Sequence, residues 1–216
     1  MNRSPSHGTA VFPGGIGDIS DSIVRADRAF VPVVRAAGPM QPPAPATDPF
    51  AALVRMISYQ QLAGNAARAI HGRLLALFDG VPTPAALLAA PPDVLRGAGL
   101  SSAKQRSILD LAVKSVDGTV PLHDLPELSD EEVTARLIQV RGIGVWTAHM
   151  FLMFQLGRPD VWPVQDFGVR SGWARIHRLE SPPTARELEP LGDPFRPHRS
   201  AAAWYCWRAA DTVLPD

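Results

Sequence analysis

Cysteine is nearly absent from this chain: Cys206 is the only one in 216 residues. That excludes an internal disulfide and any iron–sulfur cluster held by four cysteines, and it points to a reducing cytoplasm. Lysine is almost as scarce. Of 21 basic residues only Lys104 and Lys114 are lysines, and the other 19 are arginines. Arginine suits bidentate contact with phosphate, although the same bias follows from genome composition. Acidic residues also number 21, so the net charge is zero and the total hides any basic face. No apolar run approaches the roughly 18 residues of a membrane span. Met1-Asn-Arg-Ser-Pro-Ser-His-Gly8 lacks the apolar stretch of a secretory signal. Strand-like alternation of useful length is missing as well. What the chain does have is 46% hydrophobic residues, enough for a proper core in one large domain or two small lobes.

Residues 1–47 are rich in Gly, Pro and Ala and end in Pro39-Met-Gln-Pro-Pro-Ala-Pro-Ala-Thr47. Gly14-Gly15-Ile16-Gly17 reads as an ordinary turn, because no strand precedes it and no Lys-Ser/Thr follows it as in a phosphate loop. Residues 27–37 suggest a short helix broken around Pro32. From Asp48 onward the spacing predicts consecutive helices. Thr47-Asp48-Pro49 supplies a cap and a first-turn proline. Phe50, Leu53, Val54, Ile57 and Leu62 then follow at helical spacing. Further helices are expected over 66–78, 84–90, 92–96 and 101–116. Ser129-Asp-Glu-Glu132 matches a capping box and opens a helix to about residue 140. The last three are expected over 146–155, 167–178 and 199–212. The predicted fold class is all-α.

Between the helices ending near Val140 and starting near Trp146 stands Gly142-Ile143-Gly144, a tight helix-to-helix turn. Glycines permit positive φ and the close approach of another backbone. Amides in such a turn, and those opening the next helix, lack intrahelical acceptors and face an anion. Thr147 and Ala148 are small enough for the two helices to pack closely. The arrangement reads as a sequence-independent clamp for a nucleic-acid phosphate. Asp166, in Pro163-Val-Gln-Asp166-Phe-Gly, lies 20 residues past Trp146 and precedes a helix. It reads as an N-cap, and a carboxylate in that place also suits an oxocarbenium-like transition state. His7, His71, His123, His149, His177 and His198 show no metal-ligand spacing and read as surface or core residues. Trp162, Trp173 and Trp207 read as core. Tyr59, beside Gln60, is a candidate for a pocket wall.

Five segments, Ile57-Ser-Tyr-Gln-Gln-Leu-Ala63, Leu100-Ser-Ser-Ala-Lys104, Val140-Arg-Gly-Ile-Gly-Val-Trp-Thr-Ala148, Leu156-Gly-Arg-Pro-Asp160 through Asp166, and Arg199-Ser-Ala-Ala-Ala-Trp204, occur in an order that resembles one family. Over about residues 47–213 the chain is similar to alkylbase DNA glycosylases of the helix-hairpin-helix superfamily. It looks like the compact 3-methyladenine glycosylase kind without an N-terminal β-domain. The resemblance implies a two-lobed helical fold with the active site in the cleft between lobes. Residues 1–46 would be a partly irregular extension packing on the C-terminal lobe. Residues 47–213 would form the glycosylase domain, with its hairpin at 137–148.

By the same resemblance Asp166 is the catalytic aspartate. Trp146, Trp204 and Tyr59 would contact the base, and Trp146 stands where bifunctional relatives carry a Schiff-base lysine. Tryptophan cannot do that chemistry, so a monofunctional hydrolase without lyase activity is implied. Leu62, with Gln61, would wedge into the duplex. Arg141, Gly142, Ile143, Gly144 and Thr147 would contact the DNA backbone. The carbonyls of Ile138, Val140 and Ile143 would hold a structural Na+ or K+, with no cofactor required. The implied partner is double-stranded DNA containing alkylated bases, bound by a monomer at the nucleoid of a bacterial-type cytoplasm, with no membrane. Two alternatives stay open: a non-catalytic hairpin DNA-binding protein, and a glycosylase for a deaminated, mismatched or oxidised base. Relatives of the second kind often carry a cysteine cluster or the Schiff-base lysine, and this chain has neither.

Overall fold

A computed structural model describes residues 16–40, 48–62, 64–80 and 82–211. Among these it contains twelve α-helices, three short 3-10 turns and no strand. In chain order the α-helices are α1 (Ile16–Ala26), α2 (Val31–Ala37), α3 (Pro49–Tyr59), α4 (Gly64–Ala76), α5 (Pro84–Ala89), α6 (Pro92–Gly97), α7 (Ser102–Val116), α8 (Asp130–Leu137), α9 (Val145–Phe154), α10 (Phe167–Ile176), α11 (Ala185–Leu191) and α12 (Arg199–Asp211). They divide into two compact units. One is Ala46–Phe151, and the other joins the described parts of Met1–Pro45 and Leu152–Asp216.

In the Ala46–Phe151 unit, side chains start the helices as the sequence suggests. The Asp48 carboxylate accepts the Phe50 amide at 2.8 Å, and Ser101 accepts that of Lys104 at 3.4 Å. Ser129 and Glu132 cap each other reciprocally. Each such cap stabilises its helix by about 1 kcal/mol. The apolar stripe of α3 is buried at Phe50, Leu53, Val54 and Ile57, against α4 and α7. Two ends fall three residues short of expectation. The helix α3 stops at Tyr59, short of Leu62, because Gln60 turns to φ −52°, ψ 134° and Gln61 to φ +55°. The helix α8 stops at Leu137, where the hairpin begins.

The second unit is organised around the crossing of α10 and α12. A Cβ on Gly172 would overlap the Cys206 carbonyl oxygen, so the glycine sets how closely these helices approach. Ser200, Ala201, Ala202 and Ala203 are buried on the facing helix. The N-terminal helices belong to the same core. Tyr205 Oη lies 2.8 Å from Ser20 Oγ and donates to the Gly38 carbonyl at 3.1 Å. His177 Nε2 lies 2.7 Å from Asp27 Oδ2, and its ring stacks on Trp173 at 4.0 Å. Phe30, fully buried, packs against Trp173 and Phe195.

Three sequence expectations change here. Pro32 stands in the first turn of α2 and starts that helix, where its missing N–H costs nothing. Gly17 lies inside α1, not in a turn. The helices α1 and α11 were not anticipated at all. Gly14, Gly15, Thr47 and Thr212, each part of an expected turn, cap or helix end, lie outside the described residues.

Candidate functional site

The hairpin after α8 is built by a succession of short bonds. The Val140 amide donates to the Leu137 carbonyl and the Ile143 amide to the Val140 carbonyl, both at 3.0 Å. Leu137, Val140 and Ile143 are buried and anchor the turn, as are Thr147 and Ala148 on α9. Gly142 holds φ +77°, and a Cβ there would overlap the Ser107 hydroxyl. Gly144 differs from expectation: its φ is not left-handed, and a Cβ would meet nothing within 4 Å. The fold therefore requires glycine at 142 and leaves the space over 144 open.

A buttress under the turn went unnoticed in the sequence. Asp110 Oδ2 accepts the Arg141 amide and Lys114 Nζ, each at 2.7 Å, and Lys114 also donates to the Gln139 carbonyl. Burial acts to raise the Asp110 carboxyl, but the Arg141 amide and Lys114 outweigh it and hold the group below its ordinary range. The backbone amide of Arg141 is thus committed to Asp110, while its side chain is exposed. Among the described residues, the amides of Gly142, Gly144 and Thr147 make no hydrogen bond. Unbonded backbone amides grouped in one turn are the kind of donor that an anion takes. The Ile138, Val140 and Ile143 carbonyls are hard oxygen donors suited chemically to a Na+ or K+ ion. The Val140 oxygen, although it accepts one amide, retains a second lone pair. Trp146, 45% exposed, stands on the first turn of α9.

At the end of α3, Gln61 and Leu62 are exposed. Tyr59 is half-buried, its ring against His71 at 5.9 Å and beneath the Arg55 guanidinium at 4.7 Å. Lys104 Nζ donates to the Ser58 carbonyl at 2.8 Å.

In the other unit Asp166 is the N-cap of α10. Its Oδ1 accepts two N–H donors at 2.8 Å, the Val169 amide and the indole of Trp207. Together they fix the plane of the carboxylate. Trp207, which reads as core from the sequence, is half-buried and also positions Asp166. Its ring packs on Phe154 at 5.7 Å. Gly168 leaves room for this bond, since a Cβ there would stand 2.8 Å from Trp207 Cδ1 and 3.0 Å from Asp166 Oδ1. Trp204, one turn earlier on α12, lies against Tyr205 and Arg208. Cys206 is fully buried; burial first, and the Asp166 charge second, push its thiol far above the usual range, which makes it a poor nucleophile.

Two of the sequence motifs form a single lock on the approach to Asp166. Arg199 donates through Nε (2.8 Å) and Nη2 (3.0 Å) to the two oxygens of Asp160, and Arg196 Nη1 adds a third bond at 2.9 Å. Ser200 Oγ donates to the Arg158 carbonyl and accepts the Val161 amide. The loop before Asp166 is thereby fastened to the start of α12. Burial works to raise the Asp160 carboxyl, but the Arg199 bonds and charge, then Arg196, prevail and hold it below its ordinary value. A folded-state value below the unfolded one gives stability that is present above about pH 4 and lost as pH falls through the folded value. Thermal melts of the wild type should therefore lose Tm more steeply as pH falls below about 4 than those of Asp160→Asn. At pH 7 the variant should be less stable by about 2 kcal/mol. Parallel curves for the two proteins would remove Asp160 from this role.

Comparison with known proteins places this geometry. Residues 54–197 match the model of the HhH-GPD superfamily base excision DNA repair proteins. The chain is 36% identical over 166 residues to DNA-3-methyladenine glycosylase 1 of Schizosaccharomyces pombe, an alignment covering 76% of this chain and 73% of that one. The structure of the 3-methyladenine DNA glycosylase Mag1 of the same organism, in complex with abasic DNA, superposes with a TM-score of 0.83 at 31% identity, covering 91% of this chain and 98% of that one. That of the DNA-3-methyladenine glycosidase of Bacillus halodurans gives 0.81 at 33% identity, with 90% and 89% covered. The chain belongs to the HhH-GPD superfamily of base excision DNA repair proteins.

Proposed function

We propose that this chain is a DNA N-glycosylase that flips alkylated purines, of the 3-methyladenine and 7-methylguanine type, out of duplex DNA and hydrolyses the N-glycosidic bond. The product is an abasic site, the entry point of base excision repair. The observation that carries this reading is Asp166, oriented through one oxygen by Val169 and Trp207. An N3- or N7-methylated purine is cationic. When its bond to C1′ breaks, the bonding electrons neutralise the base, and the sugar becomes oxocarbenium-like. The Asp166 carboxylate stabilises that positive charge electrostatically. Water then adds to C1′ and loses a proton. Exposed Trp146 offers a π-face to the cationic base, worth about 0.5–2 kcal/mol. Tyr59 and Trp204 are further base contacts on this reading, and the indole of Trp207 holds the carboxylate in place.

The hairpin grips the backbone through the amides of Gly142, Gly144 and Thr147, around Ile143 and with the exposed Arg141 beside them. The Ile138, Val140 and Ile143 carbonyls would hold a Na+ or K+ ion, which would tie hairpin to phosphate electrostatically and supply no step of the reaction. Leu62 and Gln61 fill the gap left by the flipped base, a step that offsets part of a flipping cost of a few kcal/mol. No described helix is long and apolar enough to cross a membrane. On this reading the enzyme acts as a monomer on the nucleoid DNA of a bacterial-type cytoplasm and needs no further cofactor.

The reaction stops at the abasic site on this account. Trp146 cannot form a Schiff base, and both lysines are engaged: Lys104 with the Ser58 carbonyl, Lys114 with Asp110 and Gln139. Burial lowers the Lys104 amine, the direction that favours a nucleophile, but its bond to Ser58 holds it at the end of α3. Incubated with methylated duplex, the protein should leave strands that break only after alkali, and borohydride should trap no covalent adduct. Strand breaks that track base release without alkali, or an adduct lost on Lys104→Ala, would overturn the monofunctional reading.

A further inference from the structure

We propose that Gln60 is a positioning residue that ties the turn bearing Leu62 to the phosphate-gripping hairpin, so that holding the backbone and filling the emptied stack become one event. This rests on the glycosylase reading above. Gln60 Nε2 donates to the Gly142 carbonyl at 3.0 Å and lies 3.4 Å from Thr147 Oγ1. The peptide joining Gly142 to Ile143 is therefore pinned at both ends, its carbonyl by Gln60 and its N–H by the Val140 carbonyl. Both Gly142 and Thr147 carry amides that the phosphate would use. At its other end Gln60 is the last residue before the exposed turn. Its own amide still donates to the Ile57 carbonyl, and the next residue, Gln61, holds φ +55°, a left-handed conformation that a non-glycine side chain adopts only when its surroundings impose it. That reversal turns the chain out of α3 and leaves Leu62 39% exposed.

A second tie fastens the same corner, with Lys104 Nζ on the Ser58 carbonyl two residues before Gln60. The end of α3 from which the turn departs is thus braced by α7 and by the hairpin. Removing the Gln60 bond leaves the hairpin's own supports in place: the Ile143–Val140 bond, the Asp110–Arg141 bond and the seat of Gly142 against Ser107. What is lost is the fixed spacing between clamp and wedge. A misplacement of about 1 Å in a positioning element lowers a rate by up to about 10²-fold, whereas binding through the hairpin amides persists.

The test uses the full chain with dimethyl sulfate-treated duplex and an undamaged duplex. Gln60→Met keeps the length and removes the donor; Gln60→Glu keeps the shape and sets a carboxylate against the Gly142 carbonyl. Either should release methylated purine about tenfold more slowly or worse under single-turnover conditions, yet bind undamaged duplex within about threefold of wild type. Because the effect runs through Leu62, the double variant Gln60→Met/Leu62→Ala should be no slower than Leu62→Ala alone. Losses that multiply in the double variant, a Gln60→Met rate within twofold of wild type, or equal weakening of binding to both duplexes would overturn the coupling. Wild-type protein that releases no base at all would instead overturn the glycosylase reading.

Discussion

Asp166→Asn is expected to lower the single-turnover rate of base release by about 10²–10³-fold, the usual cost of removing one electrostatic stabiliser of a developing charge. The substitution is unusually clean at this site. Asparagine is as good an N-cap as aspartate, and its side-chain oxygen can still accept the Val169 amide and the Trp207 indole that Oδ1 accepts now. The helix start, the packing of Trp207 on Phe154 and the room left by Gly168 all remain. The negative charge goes while the bonds to Val169 and Trp207 stay. Affinity for methylated and abasic duplex should stay within a few fold, since on the proposed reading phosphate contact resides in the hairpin. Near-normal release of 3-methyladenine by a folded Asp166→Asn protein would remove this residue from the reaction.

The second large effect separates the two glycines of the hairpin. Gly142→Val should destabilise the protein, because a β-branched residue at φ +77° costs at least the 1–2 kcal/mol or so of left-handed backbone and its Cβ would also overlap Ser107. Gly144→Val should leave the Tm nearly unchanged, since nothing lies within 4 Å of its Cβ position and its backbone is ordinary. Yet on the proposed reading the added side chain stands where the hairpin meets the phosphate. It should weaken damaged and undamaged duplexes alike by roughly tenfold or more, the signature of a contact to phosphate and not to bases. Circular dichroism and melting curves establish the fold, and fluorescence anisotropy the affinity. A folded Gly144→Val protein that binds both duplexes normally would place the clamp elsewhere.

Local chemistry explains which parts were readable in the sequence. The capping box at Ser129 and Glu132, the glycines at 142 and 144 and the small residues at 147 and 148 are signals a few residues long, and they define the hairpin. The cap at Asp166 was equally legible. By contrast, α11 has its own capping box, Thr184 with Glu187, which the flanking Pro182, Pro183 and Pro190 disguised as a loop. Helix α1 has a clear apolar stripe at Ile19 and Ile23, but the glycines at 14, 15 and 17 gave its start the look of a turn. Trp207 and Gln60 were missed for another reason. Their partners lie 41 and 82 residues away, and no local pattern announces that one indole N–H or one carboxamide has such a bond to make. Trp204 came from a motif, whereas the side chain on Asp166 stands one turn further along the same helix.

The central claim, hydrolytic release of alkylated purines, is tested most directly by liquid chromatography of the bases freed from methylated duplex DNA. The account predicts 3-methyladenine and 7-methylguanine accumulating with time in the presence of the wild-type protein and barely above background with Asp166→Asn. Tight binding to the same duplex with no free methylated base over hours, or release of a deaminated base alone, would contradict it.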